Sequence, residues 1–275
     1  MTQDTPAATP ADASAPIGIF DSGVGGLAVL SELRRLLPGE DVIYYADTAY
    51  FPYGPRSSAE IRERAEATTR ELLGRGAKII VVACNTATSA AIAHLRDTFD
   101  VPFVGMEPAL KPAAEKTLSG KVALLATPGT ARGEKLAALI DRYGAEVTVQ
   151  TIEAPGLAAC VEAGAIDALE TLTLLRRYLE PIRRSGADIV VLGCTHYAFL
   201  RSIVERELGY GVLVIEPSEA VARQTANVLA SKQLRNQRTT GGSVVYLCSG
   251  DEQAFAALRE RLAGAALALG NATLD

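Results

Sequence analysis

Two cysteines stand where a parallel α/β protein presents its reactive groups. Cys84 lies near the end of Gly76–Thr86 (GAKIIVVACNT) and Cys194 near the end of Gly186–His196 (GADIVVLGCTH); the stretches align without a gap, cysteine over cysteine. Each carries an apolar, β-branched run with no polar alternation, the pattern of a strand buried on both faces. Residues just past the carboxyl end of such a strand face the ligand crevice. Each tip therefore delivers a thiol, and the second adds the Thr195 hydroxyl and the His196 imidazole. If the tips oppose each other across a cleft, a proton can leave one face of a substrate carbon and return to the other. That chemistry needs one thiolate and one thiol at a time, so Asp21 and His196 read as the groups that tune them.

Neutral donors gather at the same expected tips: Ser22, Asn85, Thr86, Thr130 and Thr195. With strand-end amides and helix N-termini, such a set suits a small anion or zwitterion. Asp21–Gly26 (DSGVGG), continued by Leu27-Ala28, nominally fits the dinucleotide fingerprint G-x-G-x-x-G/A, with an acid about twenty residues on at Asp47 or a little earlier. A Rossmann turn begins with its glycine, however, whereas here a carboxylate comes first and would repel a pyrophosphate. No Lys-Ser/Thr follows the glycines, which excludes a Walker loop. Cys84, Cys194 and His196 could offer three zinc ligands, but structural zinc sites favour close C-x-x-C pairs and none occurs. The reading is thus no metal and no cofactor. A lone strand-end cysteine would be a small buried hydrophobe; it is the equivalent placement of two that argues for chemistry. Cys160 and Cys248 belong to no repeat and read as structural, and His94, mid-helix, as packing or solvent-facing.

The elements that must hold these tips also repeat. Ile17–Gly26 precedes Cys84 as Lys121–Thr130 precedes Cys194, and Val101–Pro108 follows the first as Val212–Pro217 follows the second. Three strand-plus-tip units in the same order imply one duplication into two halves. Periodicity and breakers place helices over Leu27–Leu37, Ala59–Leu73 behind a Ser57-Ser58 cap, Thr88–Thr98, Leu157–Ala163, Asp167–Arg184, Phe199–Leu208 and Ser218–Lys232. A strand is expected over Glu146–Ile152, and Ala49–Arg56, with two prolines and a glycine, reads as irregular. Strands alternate with helices throughout, so the expected class is α/β: two similar domains with mainly parallel sheets, related by a pseudo-two-fold, with the site in the cleft between them.

The chain's 275 residues are 48% hydrophobic, enough for one large or two modest cores, and a net charge of −5 without a basic stripe argues against a nucleic-acid partner. No apolar run approaches the roughly 20 residues that span a bilayer. Residues 1–16 lack the basic start and apolar centre of a secretory signal and read as a disordered leader. Four scattered cysteines make no disulfide framework, which points to reduced thiols in a cytoplasm.

DSGVGG, Pro52–Gly54 (PYG), Ala83–Ala87 (ACNTA), Gly105–Ala109 (GMEPA), Thr127–Thr130 (TPGT) and Gly193–Tyr197 (GCTHY) together resemble the glutamate racemases, in order, from about Ile17 to Gly250. CNT and CTH alone would indicate the broader aspartate/glutamate racemase superfamily; DSGVGG with PYG narrows it. The resemblance implies cofactor-independent interconversion of L- and D-glutamate, a supply of D-glutamate for peptidoglycan, and a homodimer. It implies a first domain of 17–106 with 217–270 and a second of 107–216. It puts the catalytic thiols on Cys84, acting on D-glutamate, and Cys194, acting on L-glutamate, with support from Asp21 and His196 and further from Asp47 and Glu162. Substrate contacts fall on Asp21, Ser22, Tyr53, Gly54, Asn85, Thr86, Thr195 and His196. Glu162 follows a stretch, Ala154–Ala159, that departs from the family's usual pattern, and a surface position on its helix is the competing expectation. Aspartate in place of glutamate, or amino-acid binding without catalysis, are the rival functions.

Overall fold

The computed structural model describes residues 12–143 and 147–268 and contains two parallel sheets. The first is built from β1 (Ile17–Asp21), β2 (Val42–Ala46), β3 (Ile79–Val82), β4 (Phe103–Gly105) and, from the far end of the chain, β9 (Val244–Cys248). The second holds β5 (Lys121–Ala126), β6 (Thr148–Glu153), β7 (Ile189–Gly193) and β8 (Leu213–Ile215). Their orders are β9-β2-β1-β3-β4 and β6-β5-β7-β8. Without β9 the two are the same topology, strand for strand, and β3 and β7, which precede the two cysteines, occupy the same place. The duplication read from the sequence is therefore present in the strand order.

Both faces are covered at the central strands, which is why β3 and β7 read as continuous apolar runs, whereas the edge strands β6 and β9 are only partly buried. In the first sheet Ile17, Ile19, Val42, Tyr44, Ile79 and Val81 pack with α1 (Leu27–Leu36) and α10 (Ser218–Ser231). The alternate residues Phe20, Ile43, Ile80 and Val82 pack with α2 (Ser58–Gly74) and α3 (Asn85–Thr98). In the second sheet Val122, Leu124, Ile189 and Val191 meet α4 (Leu110–Lys116) and α6 (Glu134–Tyr143), with Ala131 of the short α5 (Pro128–Ala131) packed against the same cluster. The opposite face, Ala123, Leu125, Val190 and Leu192, meets α7 (Leu157–Glu162), α8 (Leu169–Ser185) and α9 (Arg201–Leu208). That last cluster is continuous with the α1 side of the first sheet, so one core crosses between the halves. The terminal α11 (Glu252–Ala268) lies against β9 and buries Phe255 and Leu262.

Four expectations are corrected. The helix expected from Thr88 starts three residues earlier, at Asn85, because Cys84 itself is the N-cap, its Sγ accepting from Ala87 N at 3.5 Å. The second half differs: Thr195–Leu200 winds as a 3₁₀ turn before α9 begins at Arg201, where one helix from Phe199 was expected. Within Ala49–Arg56, read as irregular, residues through Tyr50 complete a 3₁₀ turn begun at Thr48. The leader is ordered in part: Ala15 N donates to Asp12 O at 3.0 Å and Lys78 N donates to Pro16 O at 2.9 Å. Residues 1–11 of that expected leader, and the expected start of β6 at Glu146, lie outside the described residues.

The ordered part of the leader is tied to a buried ion pair. Lys78, with its side chain fully buried, donates to Glu40 Oε2 at 2.5 Å and to Ala13 O at 2.6 Å, while Glu40 Oε1 accepts from Asn236 N at 2.7 Å. One ammonium thus joins the leader, the start of β3, the α1–β2 turn and the segment leading into β9. Removing one member strands the other charge in the interior. Lys78→Met is expected to cost about 3–5 kcal/mol in urea unfolding, and Lys78→Met with Glu40→Gln to recover part of it. A single variant as stable as the parent would show that the pair does not hold these segments.

Candidate active site

At the carboxyl end of β1, Asp21 is fully buried, and its Oδ2 accepts from Gly23 N at 3.3 Å and Gly26 N at 3.1 Å. The carboxylate thus sits at the amino end of α1, where the helix dipole favours negative charge. Burial raises its pKa all the same, against the opposing pull of His196. The glycines after it do not cradle a ligand phosphate. A Cβ on Gly23 would overlap the Glu162 carboxylate, and one on Gly25 would overlap Thr195 Oγ1 and His196 Nδ1. Bare backbone here is what lets the second half close onto the first, which accounts for the glycine pattern without a dinucleotide.

Across that contact runs a chain of polar side chains. Cys194 Sγ lies 3.9 Å from His196 Nδ1, and His196 Nε2 lies 2.8 Å from Glu162 Oε2. Glu162 Oε2 also accepts from Val24 N at 3.0 Å. Thr195 Oγ1 reaches both Asp21 Oδ1 and His196 Nδ1 at 3.4 Å. Burial alone would favour a neutral imidazole, but the hydrogen bonds to Cys194 and Glu162 and the charge of Asp21 overrule it, holding the pKa of His196 well above its usual 6.5. Phe51 covers the ring, centroids 5.3 Å apart.

The other thiol has a different setting. Cys84 is 5% exposed, close enough to Asp21 and Cys194 to feel both electrostatically, and its Sγ lies 3.8 Å from Ser22 Oγ. Burial pushes its pKa far up and the Asp21 charge adds to this; the Ala87 N–H offsets part. Beside it, Asn85 is buried with neither amide atom hydrogen-bonded. Thr86 Oγ1 lies 3.1 Å from Thr127 Oγ1 and 3.3 Å from Thr130 Oγ1, a hydroxyl cluster shared by the two halves. A cleft of about 1040 Å³ opens there, lined by Gly54, Arg56 and Thr86 from the first half and Thr127, Gly129 and Arg132 from the second.

Two expected residues turn away from the thiols. Asp47 is fully buried but binds Arg64 through both oxygens (2.8 and 3.1 Å), and Tyr53 spends its hydroxyl on Asp47 Oδ2 at 2.6 Å. This triad fixes the Pro52–Gly54 loop, leaving that loop's backbone toward the cleft mouth. Glu162, by contrast, is drawn into the site rather than left on the surface. Sequence reasoning missed Phe51, Thr127, Arg64 and Tyr44, whose hydroxyl donates to Gly23 O at 2.8 Å. Thr127 sat within a quoted motif; nothing local marks the others. Among the described residues no cluster of three His, Cys, Asp or Glu side chains could hold a metal ion, and none of the helices is long and apolar enough to cross a membrane.

Two copies of one parallel α/β unit, closed on a buried site with a thiol from each, define a duplicated α/β protein with paired thiols at one site. The chain belongs to the Asp/Glu/hydantoin racemase family, whose model matches residues 17–225. It is 49% identical over 247 residues to the glutamate racemase of Herpetosiphon aurantiacus, covering 90% of this chain and 97% of that one. Among solved structures it resembles glutamate racemase isoform RacE1 from Bacillus anthracis, with a TM-score of 0.84, 31% identity, and 91% and 94% of the two chains covered. It also resembles Escherichia coli glutamate racemase in complex with L-glutamate and the activator UDP-MurNAc-Ala, with a TM-score of 0.80, 35% identity, and coverage of 94% and 96%.

Two measurements check the electrostatics. With iodoacetamide at pH 8 and no substrate, peptide mapping should find Cys160 labelled before Cys84, because Cys84 is buried and held as thiol; early labelling of Cys84 would contradict this. Glu162→Gln removes a partner that raises the His196 pKa, so the imidazole should titrate at lower pH by NMR. In the parent, the stabilisation from the raised His196 pKa is fully present below about 6.5 and lost as pH rises through the folded value. An unmoved titration would mean that the Glu162 contact does not charge the ring.

Proposed function

We propose that this protein is a glutamate racemase working through two cysteines without a cofactor. The observation that carries the reading is the pair of buried thiols at equivalent tips of duplicated sheets, one beside Asp21 and Ser22, the other beside His196. In this reading the thiolate on one side removes the α-proton of glutamate and becomes a thiol. The thiol opposite gives its proton to the other face of the carbanion and becomes a thiolate. One C–H bond breaks and one forms, with no change of oxidation state. Cys194 acts on L-glutamate and Cys84 on D-glutamate, and exchange with solvent resets the pair. His196, backed by Glu162, serves Cys194; Asp21 serves the Cys84 side, its charge disfavouring the thiolate until substrate is bound.

Substrate binding falls to neutral donors. The first-turn amides of α3, on Asn85 and Thr86, have no intrahelical acceptor and face the amino end of a helix dipole, a setting for a carboxylate. The unpartnered Asn85 amide and the Thr86–Thr130 hydroxyls add donors, as do Ser22, Thr195 and the Tyr53-Gly54 backbone. The 1040 Å³ cleft beside Thr86 and Thr127 is lined by neither thiol, and in this reading it is the substrate's way in. The two domains of this reading are 17–106 with 217–270, and 107–216. The wider proposal is a cytoplasmic homodimer that supplies D-glutamate for peptidoglycan.

The test is proton NMR of the chelator-treated protein with L-glutamate in D₂O, followed by chiral chromatography. Loss of the α-proton signal together with appearance of D-glutamate is expected, with aspartate exchanged far more slowly. Cys84→Ala and Cys194→Ala should each lower racemisation at least about 100-fold. An active Cys84→Ala would sink the two-base reading. A silent α-proton with glutamate still bound would favour a binding protein, and faster exchange on aspartate a different substrate.

A further inference from the structure

The helix α11 contributes no group to the thiol site, yet it touches two parts on which the site rests. Phe255 stacks nearly parallel on Tyr44, centroids 6.3 Å apart and planes 4° from each other, and Tyr44 holds the Gly23 carbonyl. Further along, Arg261 Nη2 donates to Ala163 O at 2.8 Å. Ala163 is the C-cap of α7 and follows Glu162 directly. The end of α7 is closed by its own backbone, Ala165 N donating to Cys160 O at 2.8 Å and Gly164 N to Val161 O at 2.7 Å, and Arg261 adds a side-chain donor to the Ala163 carbonyl at the negative end of the dipole, where a guanidinium is favoured. The next residue, Gly164, has φ +65°, and a Cβ there would overlap the Arg261 guanidinium. The chain is bare at the point where the cation lies against it. Arg261 and Glu162 also line one cleft of about 680 Å³, with Thr48, Asp251, Phe255 and Leu258.

We propose that Arg261 is a positioning residue for the reaction: by fixing the end of α7 it keeps Glu162 on His196 Nε2 and Val24 N, and so keeps the imidazole against Cys194. This rests on the racemase reading. The imidazole is faced by Glu162 from α7, by Asp21 from β1 and by Cys194 of its own segment. Only the first depends on Arg261. A residue that merely fastened α11 would change stability and leave the pH dependence of turnover alone.

The experiment compares the full-length parent with Arg261→Ala and Arg261→Lys, measuring kcat and KM on both enantiomers from pH 6 to 10, with circular dichroism for the folded fraction. Arg261→Ala is expected to lower kcat about tenfold with KM little changed, as a misplaced supporting group does. Its alkaline limb should move to lower pH, because a released Glu162 no longer holds the proton on His196. Arg261→Lys can still donate to the Ala163 carbonyl and should keep the parental limb. If the alanine variant fails to fold, Arg261→Met, of similar helix propensity to arginine and without a donor, is measured instead with the same expectation. Parental kcat and pH limbs in the alanine or methionine variant, or a loss no larger than the loss of folded protein, would overturn the role. A parent that does not racemise glutamate would overturn the racemase reading itself.

Discussion

The structure depends on one close approach, that of the Gly23–Gly26 backbone to Glu162, Thr195 and His196. It exists because two glycines leave room for a carboxylate and an imidazole from the other half of the chain. It is held by Val24 N on Glu162, by Thr195 on Asp21, and by the core that runs from α1 to α7, α8 and α9. Apolar burial brings the halves together without choosing an angle. The polar chain chooses it, since its members are buried and each costs free energy unless bonded. The same bonds that orient the halves therefore set the environment of the thiols.

That coupling explains how so many ionisable groups are tolerated out of water. Asp21, Glu162 and His196 form an acidic–basic cluster in which the imidazolium offsets part of the repulsion between the two carboxylates. Asp21 gains further from the amide groups at the start of α1. The neighbouring Asp47 is neutralised separately by Arg64, which also lies over the Tyr50 ring, 3.6 Å from its centroid. Two carboxylates, two solutions: Asp21 faces the thiols, while Asp47 is used to fix the loop that borders the cleft.

Much of this was legible in the chain, and the parts that were not share a cause. Strand type, the duplication into two halves and the tip positions of Cys84 and Cys194 follow from uninterrupted apolar runs and their repetition, signals that are local and periodic. The start of α3 at Asn85 was hidden because cysteine is not a usual N-cap, so its thiol bond to Ala87 N had no sequence signature. Glu162 stood between a supporting role, implied by resemblance, and a surface position, because helical pattern says which face is polar, not whether another chain segment covers it. Asp47 lies at a strand tip, yet its partner Arg64 stands a full turn inside α2, where an arginine reads as solvent-facing. The folding back of β9 onto β2 joins residues some two hundred positions apart, which no local pattern marks and only the resemblance, in grouping 217–270 with 17–106, implied.

The duplication also shows what divergence has to change. Identical halves would present two identical thiols, and a pair with the same proton affinity has no preference for holding one proton on a given side. Here β3 runs straight into an α-helix with its cysteine as cap, while β7 runs into a 3₁₀ turn that swings His196 back beside its cysteine. The backbone difference at the two tips is thus the source of the chemical difference: a helix start surrounds Cys84 with amides and Asn85, a tighter turn gives Cys194 an imidazole backed by a carboxylate. Symmetry of the sheets supplies the opposed placement of the thiols that the proposed two-base reaction uses. Asymmetry of the two turns supplies unlike proton partners, which suits the proposed reaction through one thiol and one thiolate.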